Sequence, residues 1–220
     1  MEYGEVHAGF VHHTVNANNY TRGEVPAIIR GIYAYHTQTR GWRDVGYNFL
    51  IDRFGRIWEG RYGGITLPVV GAHTLDYNEN SFAASAIGNY DIPHPSARML
   101  DAYARLYAWK LSLHGVRPKI RQLVAGTTFN AISGHRDAAS TACPGRYLYA
   151  KIPTIIDRAA HYQRAFSGRD LQHSCSPATP SRTSSWSRTT ARCPSHEAPV
   201  RPASKVHASP LPTFRGLPTS

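Results

Sequence analysis

The hydrophobic pattern divides the chain into alternating strand-like and helix-like segments. Residues 6–14 are a short apolar run of strand length that ends in His12-His13. Thr21-Arg-Gly-Glu24 has the spacing of a capping box, and Val25, Ile28, Ile29, Ile32, Tyr33 and His36 then recur at helical intervals. Gly41-Trp42-Arg43-Asp44 ends that helix. Residues 45–51 read as a strand, Asp52-Arg-Phe-Gly55 as a turn and residues 56–59 as its hairpin partner. A Gly-rich loop over residues 60–71 leads to Ala72-His73 and Asn78. Residues 82–88 are small and apolar, as suits a central strand. Ser96 is placed to cap a helix whose stripe is Met99, Leu100, Tyr103, Leu106, Tyr107 and Leu111, with Gly115 closing it. A long loop with a short strand near residues 127–129 follows, and residues 147–164 read as helical with an offset at Pro153. Strands and helices mixed in this way predict an α/β fold, a central sheet covered by helices.

The periodicity lapses at about Ala165. Beyond it Ser, Thr, Pro and Arg dominate and eight of the fifteen prolines fall there. Residues 1–164 are therefore expected to fold as one domain and residues 165–220 to form a disordered tail. His173, Cys175, Cys193 and His196 lie in that tail without the apolar residues of a zinc finger, so no second metal site is expected from them. The three cysteines provide no disulfide framework.

Charge narrows the partners. The net charge is +11; residues 1–164 carry 18 Lys and Arg against 12 Asp and Glu, and residues 165–220 carry 7 against 2. Such a surface favours a polyanion: nucleic acid, anionic lipid or the acidic polymers of a cell wall. Aromatic residues do not interleave with the basic ones, so no specific nucleic-acid partner is expected. No stretch is long and apolar enough to span a membrane. Met1-Glu2-Tyr3-Gly4-Glu5 has neither the basic start nor the apolar run of a secretory signal, which reads either as an intracellular protein or as a chain without its natural N-terminus.

The candidate chemistry sits in Ile132-Ser-Gly-His135-Arg-Asp137-Ala-Ala-Ser-Thr141-Ala-Cys143-Pro144-Gly145. An imidazole and a thiol eight residues apart are the ligand types a borderline-soft ion such as Zn²⁺ prefers. A third ligand has to come from elsewhere, and the pair His12-His13 is the best source. Three protein ligands leave one coordination position for water, the arrangement of a catalytic rather than a structural zinc.

Four motifs then fall in order: Phe10-Val-His-His-Thr14, Gly41-Trp-Arg-Asp-Val-Gly-Tyr47-Asn-Phe49, Gly71-Ala-His73 with Asn78, and Gly134-His-Arg-Asp137 with Thr141-Ala-Cys-Pro-Gly145. From about Val6 to Ala160 the chain resembles the peptidoglycan recognition protein family, the type-2 N-acetylmuramoyl-L-alanine amidases, which includes phage and actinobacterial members. The resemblance implies a central mixed β-sheet flanked by helices and a groove for a glycan with its stem peptide. It also implies a Zn²⁺ held by His12, His135 and Cys143, with Tyr47 catalytic and Thr141 beside the metal's water. His73 and Asn78 match residues that contact the muramyl-peptide. Trp42 and Arg61 match the pattern for meso-diaminopimelate stem peptides, whose extra carboxylate suits an arginine fork.

The implied activity is hydrolysis of the amide between the lactyl group of N-acetylmuramic acid and L-alanine, by a monomer acting on peptidoglycan or muropeptides. By resemblance the location is extracellular or the cell envelope; without a signal in the chain, the cytoplasm stays open. The competing reading is a binding module of the same fold that does not cut. The family's secretion signal, and the paired-cysteine bridge of its animal members, have no counterpart here.

Overall fold

The computed structural model describes residues 1–172 of the 220, with side chains as far as Ala165. Its strands are β1 (Ala8–His13), β2 (Phe49–Ile51), β3 (Ile57–Glu59), β4 (Ser81–Ala86), β5 (Arg121–Val124), β6 (Thr127–Asn130) and β7 (Ile132–Gly134). Its helices are α1 (Val25–Ala34), α2 (Ala97–Leu113), α3 (His135–Ala138), α4 (Arg146–Tyr149) and α5 (Ile152–Gln172). Five strands build one mixed sheet in the order β3-β2-β4-β1-β7, and β5 pairs with β6 in a separate hairpin. All neighbours in the five-stranded sheet are parallel except β2 and β3.

Helices flank this sheet, and its inner strands are covered on both faces. That is why β1 (AGFVHH) and β4 (SFAASA), buried at every position, show no polar alternation. On one face Val11, Phe82 and Ala84 pack against Met99, Tyr103 and Tyr107 of α2 and Ile155 of α5. Two α2 hydroxyls fasten that packing to β1: Tyr103 donates to the His12 carbonyl at 3.0 Å and Tyr107 to that of Phe10 at 2.7 Å. Each such buried bond stabilises by about 1 kcal/mol net. The other face has two separate covers. Val25 and Ile32 of α1 lie over Leu50 and Ile87, and the β5–β6 hairpin lies over Phe10, with Phe129 edge-on to it at 5.3 Å. Tyr47 packs against both clusters and so stands at the seam between them.

Several elements depart from the sequence-based expectation. The strand expected over residues 45–51 pairs with β4 only from Phe49; the Asn48 and Tyr47 carbonyls still accept the Gly60 and Arg61 amides, but Tyr47 lies in a bend before the strand. The Asn48 side chain accounts for this: it accepts from the Ala83 amide at 2.9 Å and donates to the Val69 carbonyl at 2.7 Å, taking the place of a backbone rung. The capping box is half made. Glu24 reaches back to the Thr21 amide at 2.6 Å, but the Thr21 hydroxyl donates to the same carboxylate instead of capping the helix. Residues 121–124, read as loop, form β5, whose side chains are only partly covered. The helix expected over residues 147–164 is broken at Ala150 and Lys151 into α4 and α5, with Pro153 second in α5, where a missing amide costs little. α5 continues to Gln172, past the expected end, since the next proline is Pro177. The expected tail from residue 173 onward, with its His and Cys residues, lies outside the described residues.

Candidate metal centre and its cleft

The C-terminal end of β1 delivers His12, the turn from β7 into α3 delivers His135, and the loop after α3 delivers Cys143. One ligand atom from each lies within 4.8 Å of the other two. His12 turns Nδ1 toward Cys143 Sγ at 3.5 Å, and its ring centroid is 4.4 Å from that of His135. Of the adjacent histidines only His12 joins the cluster. His13 accepts the Tyr90 amide on Nδ1 at 3.2 Å, while its own amide donates to Cys143 Sγ at 3.4 Å. The loop holding Cys143 is braced by the Arg136 amide on the Cys143 carbonyl (3.1 Å) and by the Cys143 amide on Thr141 Oγ1 (3.2 Å). Gly145 closes it at φ +85°, where a Cβ would stand 2.5 Å from the Tyr90 carbonyl carbon, so only glycine lets the loop tuck in.

The electrostatics suit a soft dication. Burial holds His12 well below its ordinary pKa of 6.5, and the neighbouring His73, His135 and His13 push the same way. His135 is lowered by burial too, so both rings are neutral, with lone pairs to give. Its Nδ1 is buried and has no hydrogen-bond partner. Burial pushes the Cys143 thiol up to about 12. A bound dication would reverse that balance, because Cys143 would ligate it as the thiolate and give up its proton. Two neutral imidazoles, one of them with an unpartnered buried nitrogen, and a thiol against the other are a zinc donor set, and the residues fit that ion.

Around the three ligands opens a cleft of about 400 Å³ that also takes in Trp42, Tyr47, His73, Asp91 and Thr141. The Tyr47 ring lies 5.3 Å from that of His12. Burial pushes its phenol up to about 12, with the Cys143 sulfur adding to the effect, so it remains a neutral O–H donor. His73 is pushed down to about 3, by burial first and then by His135 and Arg61. Trp42 stacks at 4.7 Å on His36, which the π-helical turn Tyr35–Thr39 after α1 buries and which accepts the Gly46 amide at 3.1 Å.

Two predicted residues stand back from the cleft. Asn78 clamps the preceding turn, its Oδ1 accepting the amides of His73 (2.8 Å) and Thr74 (2.9 Å). Arg61 donates from Nε to the Val45 carbonyl at 2.9 Å and lines a small neighbouring crevice. Two residues the sequence did not single out belong to the site. Thr74 stands 3.2 Å from His12 Nε2, and Asp91 lines the cleft while its Oδ1 accepts the Arg146 amide at 2.8 Å. Asp91 follows the end of a parallel strand, the place where such sheets bind ligands, and that rule would have found it. A separate cleft of about 440 Å³ between β6, β7 and α5 holds none of the predicted residues.

The profile of a family described as N-acetylmuramoyl-L-alanine amidase matches residues 2–146. Peptidoglycan-recognition protein SC2 of Drosophila melanogaster is 34% identical over 146 residues, which are 66% of this chain and 71% of that one. Among solved structures, wild-type Drosophila PGRP-LB superposes with a TM-score of 0.57 at 31% identity, covering 68% of this chain and 80% of its own. PGRP-LE in complex with tracheal cytotoxin, a monomeric diaminopimelic acid-type peptidoglycan, gives 0.57 at 33% identity over 68% and 79%. The amidase LysC of Clostridium intestinale, at 23% identity with a TM-score of 0.54 over 70% and 87%, shares the fold.

Proposed function

The chain belongs to the N-acetylmuramoyl-L-alanine amidase family, and from that premise we propose that it is a zinc-dependent amidase of peptidoglycan. The bond cut is the amide joining the lactyl group of N-acetylmuramic acid to the first L-alanine of the stem peptide. One observation carries the reading: the ligand atoms of His12, His135 and Cys143 lie within 4.8 Å of one another, beside the half-buried Tyr47 in a cleft of about 400 Å³. When bound, the zinc supplies an acidified water and a positive charge for the carbonyl.

The protein's own groups do the rest. Tyr47, neutral at any working pH, donates its O–H toward the oxygen where negative charge develops. Thr141, which lines the cleft and accepts the Cys143 amide, orients the attacking water. Trp42 and His73 hold the muramyl-peptide, and Asn78 keeps the turn bearing His73 in place. With Nε committed to Val45, the terminal nitrogens of Arg61 are left to meet the extra carboxylate of a meso-diaminopimelate peptide. The substrate assigns the work to the cell envelope or the medium outside the cell.

The test uses the full chain. Metal analysis is expected to find one zinc per chain, and mass spectrometry of digested muropeptides to find free stem peptide with intact glycan. A zinc-loaded protein that binds muropeptides without releasing peptide would instead make it a recognition module.

A further inference from the structure

We propose that Thr74 links the metal ligand His12 to His73 through two hydrogen bonds, and thereby fixes His73 as an N–H donor to the substrate carbonyl. The inference rests on the zinc amidase reading and assigns a role to a residue that reading leaves out. Thr74 is 1% exposed, and its Oγ1 lies 3.2 Å from His12 Nε2 and 3.0 Å from His73 Nδ1.

A hydroxyl has one proton to donate and two lone pairs to accept with, so the direction of the chain follows from the His12 end and from keeping that buried proton paired. His12 points Nδ1 at Cys143, and a nitrogen that ligates a metal there carries no proton. The neutral His12 ring therefore holds its proton on Nε2 and donates it to Thr74 Oγ1. The Thr74 proton, buried with its residue, then has His73 Nδ1 as its acceptor; a proton on that nitrogen instead would leave the hydroxyl proton unpaired. His73 then keeps its own proton on Nε2, which is buried and has no hydrogen-bond partner within the protein. The opposite direction would put a proton on His12 Nδ1, against the sulfur and in the way of the ion.

The unpartnered nitrogen belongs to a residue that lines the cleft, with its ring 5.6 Å from that of His12. Asn78 holds the backbone of both His73 and Thr74, so ring and turn are fixed together. A buried donor left without an acceptor is rare in folded proteins and asks for a ligand to complete it. The carbonyl oxygen of a substrate amide seated in this cleft is the acceptor of the right class, and it gains negative charge as the amide is attacked. Thr74 is thus a positioning residue and His73 the catalytic donor it sets.

The experiment compares Thr74→Val, which keeps the shape, with Thr74→Ser, which keeps the hydroxyl, in the full chain with zinc. Chelator competition reads zinc affinity, ¹⁵N–¹H correlation spectra read the His73 tautomer, and muropeptide turnover separates kcat from KM. Thr74→Val is expected to weaken zinc about tenfold, to release His73 from its single Nε2–H form and to lower kcat about 100-fold with KM little changed. Thr74→Ser is expected to keep all three. His73→Ala should leave zinc affinity alone, and adding it to Thr74→Val should cost no further kcat. If valine is not accommodated, Thr74→Ala serves the same comparison.

A wild-type chain that binds zinc, paired with a Thr74→Val chain unchanged in affinity and tautomer, overturns the relay and leaves the amidase reading standing. Zinc binding without turnover overturns the amidase reading, while affinity and tautomer still decide the relay. A wild-type chain that takes up no zinc overturns both.

Discussion

Lys110 lies on α2 at 2% exposure, and its Nζ donates to the carbonyls of Ile65 at 2.9 Å and Leu67 at 2.8 Å. Among the described residues it makes no ion pair. Burial pushes its ammonium down from 10.5 to about 8. Lys110→Met keeps the length of the side chain and removes the charge and both donors. The gap between 10.5 and about 8 is worth on the order of 3 kcal/mol, at about 1.4 kcal/mol per pH unit.

The sign follows from where the proton sits. Below about pH 8 both the folded and the unfolded chain carry the charge, and the fold bears the whole penalty. Between about 8 and 10.5 only the unfolded chain holds the proton, so stability rises with pH. At pH 7 the two charged hydrogen bonds, at about 1.5–3 kcal/mol each, offset the burial, and the substitution should be close to neutral. From pH 7 to pH 10 the wild type should gain roughly 2 kcal/mol over Lys110→Met. Urea unfolding of both zinc-free chains at each pH unit measures this. A difference that stays flat within about 0.5 kcal/mol would mean the carbonyls hold the ammonium at its ordinary pKa and the reasoning fails. The carbonyls belong to the loop between Arg61 and His73, so the same substitution is expected to raise KM for muropeptides.

Other consequences are as open to measurement. Cys143→Ser is expected to abolish stoichiometric zinc by metal analysis. In the wild type, apparent zinc affinity should rise about tenfold per pH unit from pH 7 to 8, because the thiol, near 12 without metal, gives up one proton while His12 and His135 are already neutral. A flat profile in chelator competition would argue against thiolate ligation. Tyr47→Phe should keep one zinc per chain while peptide release drops about 100-fold; equal turnover would remove the phenol from the chemistry. Asn48→Ala should cost about 2–4 kcal/mol in urea unfolding, since it strands the Ala83 amide and the Val69 carbonyl in the interior. A loss under about 0.5 kcal/mol would show that water replaces the side chain.

Where burial follows a segment's own period, the sequence by itself was enough. The stripe from Met99 to Leu111 with its Ser96 cap became α2, and the small apolar run after Ser81 became the middle strand. The motif types and their order were enough to name the family and the candidate ligands. Tertiary structure decided what depends on distant groups. Successive side chains on a strand point opposite ways, so register alone put His12, and not His13, against a sulfur 131 residues away. Tyr47 left its expected strand because one amide side chain replaced a backbone rung. Thr74 carries no periodic signal at all, and its part in the site comes only from the two imidazoles that fall on either side of its oxygen. Local pattern records how each segment meets solvent; which segments meet each other is a property of the whole packed sheet, and the chemistry of this site lies in those meetings.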